Sequence, residues 1–126
     1  MKKLVVTKDA PAAIGPYSQA IDAGGFVFLS GQIPLDPATG KMVEGDIKAQ
    51  VRQALTNIRA VLQSAGVDLA DVVKVSVFLA NIADGKAMNE VYAEFFPADP
   101  PARTTVGASL PAGAGVEIDV VAVRPG

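Results

Sequence analysis

The strongest constraint on how this chain folds is one apolar stripe of helical period near its middle. Between Asp46 and Gly66, the residues Ile47, Val51, Ala54, Leu55, Ile58, Val61, Leu62 and Ala65 recur every three or four positions. That spacing gathers them on one side of an α-helix and leaves Lys48, Arg52, Asn57 and Arg59 on the other sides. Asp46 is suited to cap the first turn, and Gly66 to end the helix in a backbone conformation that other residues resist. A stripe this long must be buried, and the flanking sequence supplies strands to bury it.

On the N-terminal side, Leu4 to Val6 reads as a short strand, and the runs Tyr17 to Ala23 and Phe26 to Ile33 flank Gly24-Gly25. Two adjacent glycines suit a two-residue primed turn, which sets residue i opposite residue 49 − i. Alternation then gathers Tyr17, Gln19, Ser30 and Gln32 on one patch of one sheet face. After the helix, Val72 to Leu79 is a β-branched strand. A second helix follows, with Asp84 as N-cap, Val91, Tyr92, Phe95 and Phe96 as its apolar side, and Pro97 at its end. Two strands close the chain, about Arg103 to Ser109 and Val116 to Arg124, joined by the Pro- and Gly-rich segment 110–115. The order βββαβαββ predicts an α+β layer with both helices on one face of a six-stranded sheet. The other face then lacks a cover. Val73, Val75, Val77, Val120 and Val121 suggest that it is too apolar to stay wet, which predicts self-association.

A length of 126 residues fits a single domain over 1–126. The net charge is −2, no basic cluster is present, and five Phe and two Tyr are the only aromatics, which argues against nucleic acid as a partner. Without cysteine or histidine there are no disulfides, no thiol nucleophile and none of the commonest metal ligands or general bases. Chemistry has to run on carboxylates, hydroxyls, lysine, arginine and backbone amides. The apolar stretch at the N-terminus is too short for an export signal, and no apolar run approaches the ~18 residues of a spanning helix, so a cytoplasmic location away from the membrane is expected.

Arg103 stands alone in the segment Pro100-Pro101-Ala102-Arg103-Thr104-Thr105-Val106. Its planar fork of donors fits a carboxylate, and the competing reading is an ordinary surface salt bridge. Glu117 belongs to the strand in which Val116, Ile118, Val120 and Ala122 face one way and Glu117, Asp119, Val121 and Val123 the other. It is either a solvated surface carboxylate or a partly desolvated acid or base with a raised pKa. Asn89, beside the apolar side of the second helix, fits a structural or a site role equally.

Five blocks together resemble the RidA family, also called YjgF: Ala13-Ile14-Gly15-Pro16-Tyr17-Ser18-Gln19-Ala20, Ser30-Gly31-Gln32-Ile33-Pro34, Asn89-Glu90-Val91-Tyr92 before Phe95-Phe96, Pro101-Ala102-Arg103, and Val116-Glu117-Ile118-Asp119. The resemblance runs in one register from near the N-terminus to Arg124. It implies a chorismate-mutase-like α+β domain, a homotrimer with ligand clefts between subunits, and a cofactor-independent, metal-free hydrolysis of small 2-imino acids and enamines to 2-oxo acids and ammonia. By the same resemblance Arg103 clamps the substrate carboxylate and Glu117 orients or activates water. Tyr17 lines the cleft, Ser30 and Gly31 offer hydroxyl and backbone donors, Asn89 supports the site, and the Thr105 backbone adds a hydrogen bond. Thr104 and Thr105 stand where many members carry serine and then cysteine or threonine. Gly107 and the loop Ala112 to Gly115 replace larger residues, which leaves cleft size open. The alternative is a trimeric module that binds small carboxylates, or regulates a partner, without turnover.

Overall fold

A computed structural model describes all 126 residues. The long helix forms where its stripe requires: α1 spans Ile47–Ser64, the Asp46 carboxylate accepts a hydrogen bond from the Ala49 N–H, and Gly66 follows at a positive φ of 83°. Val51, Ala54, Leu55, Ile58, Val61 and Leu62 are wholly buried. The larger of these side chains contribute roughly 1.5–3 kcal/mol each relative to exposure.

They pack on a six-stranded sheet: β1 (Lys3–Val5), β2 (Ala20–Ala23), β3 (Phe26–Leu29), β4 (Val72–Leu79), β5 (Ala102–Gly107) and β6 (Val116–Val123), in the spatial order β1-β2-β3-β6-β4-β5. Only the pair β4 and β5 is parallel. The second helix, α2 (Gly85–Phe95), lies beside α1 on the same side. Exposed ion pairs Lys48–Glu90 and Arg52–Glu94 bridge the two helices. Lys74, Ser76 and Phe78 of β4, and Glu117, Asp119 and Val121 of β6, point to the face without helices, whereas Val75, Val77, Leu79, Val116, Ile118 and Val120 fill the core beneath them.

The hairpin pairs as the double glycine dictates. Ala20 faces Leu29 and Ala23 faces Phe26, so each pair sums to 49, and Gly24 and Gly25 both have positive φ. Its strands are shorter than the sequence suggests. Pairing extends past Ala20 and Leu29 only through the Ser30 N–H, which donates to the Gln19 carbonyl. Gln32 then leaves β2 and exchanges two backbone hydrogen bonds with Ile118 of β6. Tyr17 sits in a bend with its own N–H on the Gly15 carbonyl.

Three sequence expectations need correction. The valines expected on the open face divide: Val75, Val77 and Val120 are buried under the helices, Val73 sits at an irregularity in β4 and is exposed, and Val121 alone belongs with Phe26, Phe28 and Phe78 on the open side. A period of two decides these faces, and the register irregularity between Val72 and Lys74 resets it. Asp84 occupies the N-cap position of α2 without a side-chain hydrogen bond, while Asn81 caps the preceding 3₁₀ turn through the Ala83 N–H. Asn57 is not on an outer face of α1 but 1% exposed, with its Nδ2 donating to the carbonyls of Leu35 (2.9 Å) and Ile33 (3.5 Å) and its Oδ1 accepting from Gln53.

Asn57 therefore ties the segment after β3 to the helix layer. Asn57→Ala removes the donor to the Leu35 carbonyl and a longer second bond to Ile33, whose carbonyl keeps the Leu35 N–H, and should cost about 1–3 kcal/mol in urea unfolding; an unchanged midpoint and slope would mean that the tie carries no stability.

Candidate active site

Glu117 is the residue around which a site can be built. It sits on β6 with its side chain on the face without helices, and its carboxylate lies directly against the backbone of Gly31, where a Cβ would collide with it. Burial raises the Glu117 pKa above the ordinary glutamate value, with the nearby Asp119 charge adding in the same direction. None of the three ion pairs of the chain involves it. A partly desolvated carboxylate without a cation is the second of the two readings that the sequence left open.

The neighbours of Glu117 form a cavity of about 370 Å³, within the range of small-molecule sites. Tyr17, Gln19, Ser30, Gly31 and Gln32 line it, so all four members of the patch expected from the hairpin register reach it, joined by an apolar side that includes Ile33, Leu35 and Pro111. Gln19 is 4% exposed and fixes the opposite wall. Its Nε2 donates to the carbonyls of Thr7, Ala10 and Pro11, and its Oε1 accepts from the Thr7 N–H at 2.7 Å. Gln19 and Asn57 thus hold the two sides of the cavity, and sequence pattern identified neither in that role. An isolated amide in an apolar run is the only hint of such a function.

The donors are distributed differently from expectation. The Ser30 hydroxyl donates to the Ser18 carbonyl at 2.6 Å and the Ser30 N–H to Gln19, so both Ser30 donors are engaged within the protein. The Gly31 N–H makes no hydrogen bond in the chain. It is the available amide donor beside Glu117.

Arg103 lies elsewhere. It pairs with Val75, a core residue, so its side chain is on the helix side of the sheet, and its guanidinium carbon stands 4.7 Å from the centre of the Tyr92 ring. The interaction is cation–π, and the guanidinium has no carboxylate partner, which removes the salt-bridge reading. Arg52 and Arg124, by contrast, pair with Glu94 and Asp22, and Arg59 stacks on Phe95. Two hydroxyls beside Arg103, those of Tyr92 and Thr105, are buried without partners. Burial raises the Tyr92 pKa, and the Arg103 charge opposes that rise. Tyr92 was legible in the sequence only as a core aromatic. Asn89 is exposed on α2, one turn before Tyr92.

Within one chain the expected residues therefore form two separate groups. Tyr17, Ser30, Gly31 and Glu117 surround one cavity; Arg103 and Thr105 lie on the other sheet face, with Asn89 on the helix layer of that side. At ~3.3 Å per residue and ~4.8 Å per strand, the Arg103 and Glu117 Cα atoms are roughly 14 Å apart across β4, with side chains diverging. No group of three or more acidic, histidine or cysteine residues converges as a metal site, and no helix is long and apolar enough to cross a membrane.

Comparison with known proteins places this arrangement. The family model described as Endoribonuclease L-PSP matches residues 7–124. A RutC family protein of Pyrococcus horikoshii is 53% identical over 125 residues, covering 98% of this chain and 99% of its own. The Bos taurus protein named 2-iminobutanoate/2-iminopropanoate deaminase is 45% identical, covering 98% and 91%. Among solved structures, Escherichia coli TdcF with bound serine superposes with a TM-score of 0.93 at 41% identity, covering 98% and 99%. Matching sequence, fold and element order over almost the whole length, the chain belongs to the RidA family, whose domain carries the L-PSP description.

Proposed function

We propose that this protein is a deaminase that hydrolyses small 2-imino acids and their enamine tautomers to 2-oxo acids and ammonia, in clefts between the subunits of a homotrimer. The observation that carries the reading is the Glu117 carboxylate, partly desolvated, unpaired with any cation and held in a cavity against the backbone of Gly31, whose N–H is free. The names of the bovine relative and of others at similar identity support the reaction class.

The chemistry follows from two half-sites meeting. Arg103 of one subunit clamps the substrate carboxylate bidentately, with a guanidinium that stands over the Tyr92 ring and that no internal acid neutralises. Gly31 of the next subunit donates its N–H beside the bound acid, and Tyr17 walls the cleft. With the carboxylate fixed, C2 of the protonated imine is presented to water. Glu117 accepts a proton as water adds to C2, returns it to the nitrogen of the carbinolamine, and takes the hydroxyl proton as the C–N bond breaks, leaving the 2-oxo acid and ammonia. A carboxyl with a raised pKa suits these steps better than a fully solvated one. Opposite sheet faces cannot both line one cleft of a single chain, and the open face exposes Phe26 and Phe28 at more than 40% each, which supports assembly. A second reading, capture of small carboxylates without turnover, draws on the serine bound to TdcF, an amino acid and not an imine.

Arg103→Ala and Glu117→Gln should each lower the hydrolysis of freshly generated 2-aminoacrylate by about a hundredfold or more. Co-refolding the two inactive variants in equal amounts should restore about a quarter of the sites, because each cleft needs arginine from one subunit and glutamate from the next. No recovery in mixed oligomers would sink the shared site, and full activity of either single variant would remove that residue from the mechanism.

The pH dependence has a definite sign. As a base Glu117 acts when ionised, so kcat/KM should rise with pH through its raised pKa and flatten above it. The same burial makes the folded state hold this proton more tightly than the unfolded chain, a contribution present below the unfolded pKa and lost as pH rises through the folded one. Glu117→Gln should therefore raise Tm at pH 7 and leave it unchanged at strongly acidic pH, as differential scanning calorimetry would read.

Gly31→Ala tests the close approach. The colliding atoms are the far end of a flexible side chain, so the fold should persist with Tm within a few degrees while the carboxylate is displaced and kcat falls by about tenfold or more. Wild-type kcat in this variant would separate Gly31 from the positioning of Glu117.

A further inference from the structure

A second cavity, of about 560 Å³, lies behind the site, with Leu4, Val6, Lys8, Ala13, Ser18 and Pro37 in its lining. It adjoins the cavity that holds Glu117, and Ala12, Tyr17 and Gln19 border both. Of these three, Gln19 is immobilised by its hydrogen bonds to Thr7, Ala10 and Pro11, and Ala12 has no side chain that could swing. Tyr17 differs from both. Its side chain is about half exposed, at 47% for the residue, and the phenol makes one hydrogen bond, accepting from the Ile14 N–H at 3.3 Å, beyond the usual range for such bonds. The ring packs against Gly15, where a Cβ would already stand 3.3 Å away, and the bend that carries it belongs to no helix or strand.

We propose that Tyr17 is a movable partition that sets which side chains the site accepts. With the ring in place, the main cavity is closed toward the chamber and suits the smallest 2-imino acids. With the ring turned aside, the two cavities join, and the chamber takes the side chain of 2-imino acids with branched aliphatic or aromatic groups, against the apolar surface of Leu4, Val6 and Ala13. The polar end of the substrate stays with Gly31 and Glu117, so the reacting carbon does not move. Rotamer changes of half-exposed side chains are fast compared with typical turnover, so the partition selects by the cost of opening and not by slowing the reaction. This inference rests on the deaminase reading for its substrate class, while the cavity geometry stands apart from it.

The test compares imines generated in situ by an amino-acid oxidase from alanine, leucine and phenylalanine. In Tyr17→Ala, the ratio of kcat/KM for the leucine- or phenylalanine-derived imine to that for the alanine-derived imine should rise about tenfold or more over wild type, the discrimination that a few methylenes in an apolar pocket provide. Tyr17→Phe, which keeps the ring, should hold the wild-type ratio within a few-fold. Adding Val6→Phe to Tyr17→Ala fills the chamber and should return the ratio toward the wild-type value. A ratio unchanged in Tyr17→Ala, with all substrates losing equally, would overturn the partition and leave Tyr17 as a plain binding residue. If wild type turns over none of these imines, the deaminase reading fails, and calorimetric affinities for pyruvate and phenylpyruvate decide the partition instead. Selective tightening of phenylpyruvate in Tyr17→Ala upholds it; an unchanged affinity ratio overturns it.

Discussion

The structure hangs on β6, the strand that pairs with both β3 and β4 and so joins the N-terminal hairpin to the rest of the sheet. Its two sides face different media. Val116, Ile118, Val120 and Ala122 are essentially inaccessible beneath the helices, while Glu117, Asp119, Val121 and Val123 look out from a face that the chain itself does not cover. The backbone of Ile118 also captures Gln32, and this pairing presses Gly31 onto the Glu117 carboxylate. One strand thus supplies the core, the sheet connection and the carboxylate of the candidate site. A one-residue slip of β6 would exchange a glutamate and an aspartate for two aliphatic core residues, so the register that is fixed by hydrophobic burial also fixes the chemistry.

Each of the two residue groups carries an unmet requirement. On the helix side Arg103 has an aromatic platform but no counter-ion, with two buried hydroxyls beside it that lack partners. On the open side Glu117 is partly desolvated with no cation, next to an amide that donates to nothing. Buried or half-buried polar groups are normally satisfied, so an unsatisfied set concentrated at two places is an exception to the rule. Two amides supply hydrogen bonds to a cavity wall built from irregular backbone: Gln19 holds the segment 7–11, and Asn57 holds Ile33 and Leu35. Loops held this way can line a cavity without helix or strand geometry because their carbonyls have donors.

Much of the fold could be read from residue order. The α1 stripe with its Asp46 cap, the strand Val72–Leu79 and the alternation along Val116–Val123 all rest on local periodicity, and each appears within a residue or two of its expected bounds. The hairpin register was equally legible, because two adjacent glycines at positive φ leave little choice of turn. Local rules ran out where long-range partners took over. Gln32 pairs with β6 and not with β2, which cuts the hairpin short; Asn57 on a helix is polar by composition but buried by its carbonyl partners; and the irregularity at Val73 reassigns which valines face the helices.

The sequence by itself determined the elements and much of the chemistry at hand: an acid alternating with core aliphatics at Glu117, an isolated guanidinium at Arg103, a patch of Tyr17, Gln19, Ser30 and Gln32, and no histidine or cysteine to replace them. Side-chain period and turn chemistry are local properties, so residue order suffices to specify them. Only the tertiary structure decided how those groups are distributed. It spent the Ser30 hydroxyl on a backbone carbonyl, left the Gly31 N–H free, and set Arg103 and Glu117 on opposite faces of one sheet. Which strands become neighbours, and hence which face each residue shares, depends on the burial of the whole core at once, and no local pattern encodes it.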